Sequence, residues 1–175
     1  MPMFQLGFKS LPLPDGDAGV RQEIIGDMAA EALFGESSRL YLRMYNEGLI
    51  DASFGGGYET IEGMSMLSAS GDSEDPQAVA NAILQEAAAL AETGISQEDF
   101  LRMKRSALGR RIRGIDSFDS TCFRLCAYHL SKFDYFRFPG IYEEVTKDEI
   151  QQFIKDVVTE KHMCLAVITP NKEEV

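Results

Sequence analysis

The sequence predicts an α+β fold, an antiparallel or mixed sheet with helices packed on one face. Three observations lead there. Segments 49–58 and 61–70 both read as strands and are too close together for a crossover helix, so they pair antiparallel. Further strand-like segments lie near both ends of the chain. Between these strands run stretches of helical periodicity with recognisable caps. A strictly alternating β-α-β order is absent, which argues against a doubly wound sheet and for helices layered on one face.

Phe4, Leu6 and Phe8 alternate with Gln5 and Gly7, the period of a half-buried strand. Prolines and an Asp-Gly pair make 10–16 a loop. From Ala18 to Phe34, Ile24, Ile25, Met28, Ala29, Ala32 and Leu33 recur at spacings of three and four, and Gly35 ends the helix. Ser37 or Ser38 caps a second helix with an apolar face of Leu40, Tyr41, Met44 and Tyr45, closed by Gly48. The strands 49–58 and 61–70 follow, with a tight connection at Glu59-Thr60. Asp75-Pro76 opens a third helix to about Ala91, proline sitting at its preferred first-turn position. Ser96 starts a fourth, with Asp99 where a capping-box partner belongs, toward Arg113. Another helix spans about Ser120 to Lys132, and 134–140 is an aromatic connector. Thr146 and Glu149 form a capping box for a last helix to about Val158. Met163–Ile168 is the closing apolar strand, ended by Pro170.

One domain spanning 1–175 is expected: 175 residues, 45% hydrophobic and 26% charged, suffice for a sizeable core without disorder. The chain starts almost inside a strand and shows no signal peptide, so it reads as a piece of a longer protein, with a natural short start as the alternative. No apolar run reaches 18 residues, which removes a membrane-spanning helix. A net charge of −11 makes nucleic acid and anionic membranes poor partners and favours a cationic peptide. Three cysteines cannot all pair, and they read as reduced, buried thiols of a cytoplasmic protein.

Gly55-Gly56-Gly57 raises the question of a phosphate loop. A Walker loop needs a following Lys and Ser or Thr, and a dinucleotide fingerprint needs a helix after it; here Tyr58-Glu59 and a strand follow. The glycines instead mark a bulge, or a strand that another backbone or a peptide approaches closely. Six cations between Arg102 and Arg113 fall on several sides of a helix, the pattern of an ion-paired face rather than a nucleic-acid stripe. Cys122, Cys126 and His129 share one helical face, but one helix normally gives two tetrahedral ligands, and Leu125 and Leu130 beside them favour core over zinc. HExxH, HxxEH, CxxC and G-x-S-x-G motifs are all missing, so no catalytic residue and no metal ligand is assigned.

The order of several landmarks carries a resemblance. These are the GFK strand, Ser38-Arg39-Leu40 with Tyr41, then Glu47-Gly48-Leu49, the segment GISQEDFLRMKRSALGRRI, VTKDEIQQFIKDVV and the strand MCLAVITP. Together they resemble the second-half domain of the insulinase/pitrilysin zinc peptidases, which include the mitochondrial processing peptidases. The wording Gly48-Leu49-Ile50-Asp51 is most similar to a bacterial, processing-protease-like subgroup with YmfH-type members.

The resemblance implies paired, similar halves enclosing a chamber. The zinc, its HxxEH ligands and the glutamate base would all belong to the first half. This half would carry no cofactor; it would close the chamber and contact peptide substrate. The implied partners are a catalytic-type first half, in the same parent chain or another subunit, and a peptide, with a homo-oligomer left open. In the family an arginine and a tyrosine of the signature touch substrate. Anchored on Ser38-Arg39-Leu40, the arginine position falls on Tyr45. The tyrosine position falls on Asp51, or on Ile50 without a one-residue gap, and Arg43 lies two residues early. Tyr45, Asp51 and Arg43 are therefore the substrate-contact candidates. The competing function is a scaffold or interaction module of a peptidase-like assembly without proteolysis; a third is an unrelated α/β enzyme.

Overall fold

A computed structural model describes residues 1–61 and 63–170. Its strands are β1 (Met3–Ser10), β2 (Gly55–Ile61), β3 (Met64–Asp72) and β4 (Met163–Ile168). Its helices are α1 (Asp17–Phe34), α2 (Arg39–Asn46), α3 (Pro76–Thr93), α4 (Gln97–Arg113), α5 (Phe118–Leu130), α6 (Phe138–Glu144) and α7 (Lys147–Val157). The strands form one antiparallel sheet in the order β2-β3-β1-β4, so β2 and β4 are its edges.

Alternation decides which face of the sheet is dry. Phe4, Leu6 and Phe8 of β1 and Leu67 and Ala69 of β3 point into the core, while Met3, Gln5 and Lys9 are exposed on the opposite face. The core is completed by Ile24, Met28 and Leu33 of α1, Ile83 of α3, and Ile150 and Ile154 of α7, all buried. Each fully buried Leu, Ile or Phe stabilises by about 1.5–3 kcal/mol, so these periodic positions hold the helix layer on the sheet. Arg21 of α1 adds a fork onto Glu149, at 2.8 and 3.0 Å, fastening α1 to the first turn of α7.

The caps follow local chemistry. Ser38, not Ser37, caps α2, its hydroxyl accepting from the Tyr41 N–H at 3.0 Å. Asp75 accepts from Ala78 N–H at 2.9 Å beside Pro76. Thr146 and Glu149 form the reciprocal capping box. Gly35 ends α1 in extended, not left-handed, backbone; a Cβ there would lie 2.5 Å from the Glu31 carbonyl.

Several expectations shift. The first middle strand begins at Gly55 rather than 49. The Asp51 carboxylate accepts from the Ser53 N–H at 2.7 Å and turns the chain, and Ile50 and Phe54 dive into the core. The hairpin turns between Ile61 and Met64, not at Glu59-Thr60, because Gly63 takes the positive φ of 81° that a two-residue turn needs. The connector expected over 134–140 is helical instead: a single 3-10 turn at Tyr135–Arg137 runs into α6, with Pro139 in its first turn. The cysteines are exposed, not buried. Cys164 sits at an exposed position of β4, and for Cys122 and Cys126 the reason lies in α5, which buries no residue fully. Phe118, Phe123 and Leu130 are 80%, 75% and 81% exposed, while its polar Arg124 and Tyr128 turn inward.

Candidate functional site

The inward side of α5, together with α1, α4 and the free edge of β2, bounds a cleft. It has two adjoining lobes of about 410 and 780 Å³ that share Glu23, Asp27, Arg124 and Tyr128. The floor is α1, where Glu23, Asp27 and Glu31 recur every four residues and so share one helical face. One wall is β2, through Gly56, Gly57, Tyr58 and Thr60. Close packing holds β2 onto α1. The Tyr58 ring covers Gly26, and a Cβ on Gly56 would lie 2.4 Å from Phe34 and 2.5 Å from the Ser68 carbonyl. The triple glycine therefore serves a tight strand–helix approach at its middle residue, while Gly55 and Gly57 face open space.

The polar centre is a partly buried network. Glu23 Oε1 accepts from Arg111 Nη2 at 3.2 Å and from the Tyr128 hydroxyl at 2.5 Å, and Arg111 also donates to the Tyr128 oxygen. Arg111 is 9% exposed, and its guanidinium lies 5.2, 5.6 and 5.3 Å from the ring centroids of Tyr128, Tyr135 and Phe138. Burial works against its charge, but Glu23 and the oxygens of Tyr128 and Tyr142 outweigh it and hold the guanidinium above its ordinary value. Burial, then Glu23, push the Tyr128 hydroxyl up. Burial, then Glu23, also push the Asp27 carboxyl up to about 7, with Arg111 and Arg110 pulling the other way. Arg110 pairs with Glu31 at 3.4 Å, and Arg124 donates to the Tyr135 hydroxyl at 3.0 Å.

The arrangement is equipped for binding. It offers a strand edge, aromatic surface and fixed charge. The described residues hold no cluster of three or more His, Cys, Asp or Glu placed to take a metal ion. The basic run on α4 is spent within the fold at four positions: Arg102, Arg110 and Arg111 pair with Asp99, Glu31 and Glu23, and Lys104 donates to the Glu143 and Val145 carbonyls at 2.9 Å each.

The three expected contact residues lie elsewhere. Arg43 reaches Glu86 of α3 at 3.7 Å. Tyr45 is half exposed and stacks on Tyr41, centroids 5.9 Å apart. Asp51 is held below its ordinary value by the hydroxyl and amide of Ser53. None of the three lines the cleft. The four-residue spacing of Glu23, Asp27 and Glu31 was the signal for the cleft, and it was masked by the stronger apolar stripe on the same helix.

A family model described as the peptidase M16 inactive domain matches residues 1–107. Over 170 residues the chain is 22% identical to the uncharacterized zinc protease YmfH of Bacillus subtilis (strain 168), covering 97% of this chain and 40% of that protein. A proposed M16-like peptidase from Alicyclobacillus acidocaldarius superposes with a TM-score of 0.87 at 22% identity, over 97% of this chain and 41% of the other. The inactive peptidase domain of a proposed zinc protease from Bordetella parapertussis gives 0.80 at 16% identity, over the whole of this chain and 94% of the other. The chain thus spans about two fifths of the YmfH relative.

Proposed function

The chain belongs to the peptidase M16 family as its inactive domain, and from that premise we propose that it is the non-catalytic half of a zinc-metallopeptidase-like processing protease, closing a chamber and contacting peptide substrate. The observation that carries the reading is the cleft along β2, where a free strand edge, aromatic rings and an unpaired carboxyl face one another. Peptides are bound through such edges because main-chain hydrogen bonds supply affinity for any sequence. Zinc and the water-activating base belong, on this reading, to a first half in the same parent chain or a partner subunit. The three free, exposed thiols fit a reducing compartment such as the cytoplasm.

A scaffold without proteolysis is the second reading. It is favoured by the placement of Arg43 and Tyr45, which are engaged with Glu86 and Tyr41 rather than directed together. The two readings part at the companion half: an intact HxxEH there supports the peptidase, a decayed one the scaffold.

The test is direct. The purified chain is titrated with zinc and with fluorescent unfolded peptides, and the products are examined for cleavage. The expected result is peptide binding that weakens with added salt, without cleavage. Stoichiometric zinc binding together with cleavage by this chain alone overturns the proposal.

A further inference from the structure

We infer that a small cavity where α2 and α4 begin binds a free α-amino acid, its carboxylate held by the two helix starts and Arg39, its ammonium by Glu86. The cavity lies apart from the cleft, shares only Glu31 with it, and does not depend on the peptide-contact reading.

The positive side comes from two helix starts. Ser37, Ser38 and Arg39 of α2 and Ser96 of α4 line one space of about 180 Å³. Ser38 and Ser96 cap the Tyr41 and Asp99 amides at 3.0 Å each, but the N–H groups of Arg39, Leu40, Gln97 and Glu98 donate to nothing among the described residues. Unpartnered amides at a helix start carry partial positive charge. Arg102 straps the two starts together, donating to Ser37 Oγ at 3.0 Å and to Asp99 Oδ1 at 3.2 Å. Arg39 is exposed and pairs with no acid among the described residues. A carboxylate entering here meets unpaired amides and one unspent guanidinium, whose fork matches its two oxygens.

The negative side is Glu86, on a third helix, α3. It is 6% exposed and lines the cavity, yet its carboxylate accepts no hydrogen bond from the described residues. Arg43 lies 3.7 Å away, too far for a hydrogen bond. A buried carboxylate with empty acceptor sites is costly, and an ammonium, with three donors, fills them. The other two acids of the lining are already engaged, Glu31 with Arg110 and Asp99 with Arg102. Glu86 repels a plain anion, and a plain amine leaves the helix starts unfilled. A molecule that carries both charges on neighbouring atoms satisfies both sides. Ala32, Leu90, Ile95 and Met103 complete the lining and suit a short apolar side chain. At about 180 Å³ the space equals about six waters at roughly 30 Å³ each, below the size of a drug-sized site and enough for alanine or valine.

The experiment titrates the isotope-labelled full chain near neutral pH with L-alanine, L-valine and two analogues of alanine, propionate and ethylamine, and follows backbone amide resonances by NMR. Alanine is expected to shift Leu40, Gln97 and Glu98 saturably. It should bind about tenfold more tightly than either analogue, the worth of one hydrogen bond to a charged group. Glu86→Gln should bring alanine down to the affinity of propionate without weakening propionate. Arg39→Gln should weaken alanine and propionate by the same factor. Alanine binding no tighter than propionate, or undiminished in Glu86→Gln, overturns the inference. Tighter binding of inorganic phosphate makes this a plain anion site, tighter binding of the dipeptide Ala-Ala assigns it to a peptide end, and either result overturns it too. So does the lack of a saturable shift with both alanine and valine. None of these outcomes bears on the cleft, which unfolded peptides test separately. Should Glu86→Gln fail to fold, the wild-type ranking of alanine, propionate and ethylamine decides, together with Arg39→Gln at its exposed position.

Discussion

The ring of Tyr58 on β2 occupies the place where a side chain on Gly26 of α1 would begin: a Cβ on Gly26 would lie 2.4 Å from Tyr58 Cγ. Tyr58 is further fixed by a hydrogen bond from Gln22 Nε2 at 3.0 Å and by edge-on contact with Phe153, centroids 5.6 Å apart. The ring has little room to retreat. Gly26→Ala should therefore destabilise the fold by about 1–3 kcal/mol despite alanine's better helix propensity. Urea unfolding followed by circular dichroism measures it; a stabilised Gly26→Ala would show that the ring moves freely.

The triple glycine should behave unevenly. Gly56→Ala drives a methyl into Phe34 and the Ser68 carbonyl, neither of which is the end of a flexible chain, and should cost about 2 kcal/mol or more. Gly57→Ala meets nothing within 4 Å and its φ is not positive, so it should be neutral or stabilise by up to about 1 kcal/mol. Melting temperatures of the two variants, side by side, make the comparison.

Asp27 gives the fold a pH signature. Its carboxyl rises from 3.8 to about 7 on folding, so between those values the folded state binds the extra proton. Stability contributed by that proton is full below the unfolded value and is lost as pH climbs toward 7, by at most about 4 kcal/mol. Asp27→Asn should thus leave stability near pH 4 little changed and raise it at pH 8. Thermal melts across that range check the sign.

Arg111 is the keystone of the polar centre. Arg111→Met strands Glu23 in a half-buried site and should cost about 3 kcal/mol. The double variant Arg111→Met with Glu23→Gln should cost less than the sum of its parts, since it removes both charges. A denaturant double-mutant cycle reads the coupling.

The capping box of α7 is worth testing alone. Thr146→Ala removes the acceptor for the Glu149 N–H and should lower stability by about 1 kcal/mol, seen as a shifted urea midpoint.

Local signals account for what was legible. Serine, threonine and aspartate caps acted as written because a cap is satisfied within three residues, and in the apolar stripe of α1 Ile24, Met28, Ala29 and Leu33 are buried. The aromatic segment from 134 misled because rings read as strand or loop. Its helix is set by Pro139 and by the burial of Phe138, Ile141 and Tyr142. Cys122 and Cys126 misled because α5 looks amphipathic in isolation. Which of its faces turns inward is decided by Glu23, a hundred residues away, which draws Tyr128 and Arg111 together.

By itself, then, the sequence determined the order of elements apart from α6, the α+β class, the want of an HxxEH motif and the resemblance that the family match bears out. Each of these resides in neighbouring residues, where periodicity and capping operate. Tertiary structure alone decided that Glu23 and Asp27, the β2 edge, Arg110 and Arg111, and Arg124 and Tyr128 line a single cleft. Those groups are scattered over a hundred positions, and only the close seating of β2 on α1 at Gly26 and Gly56 places that edge against the helices that carry the rest.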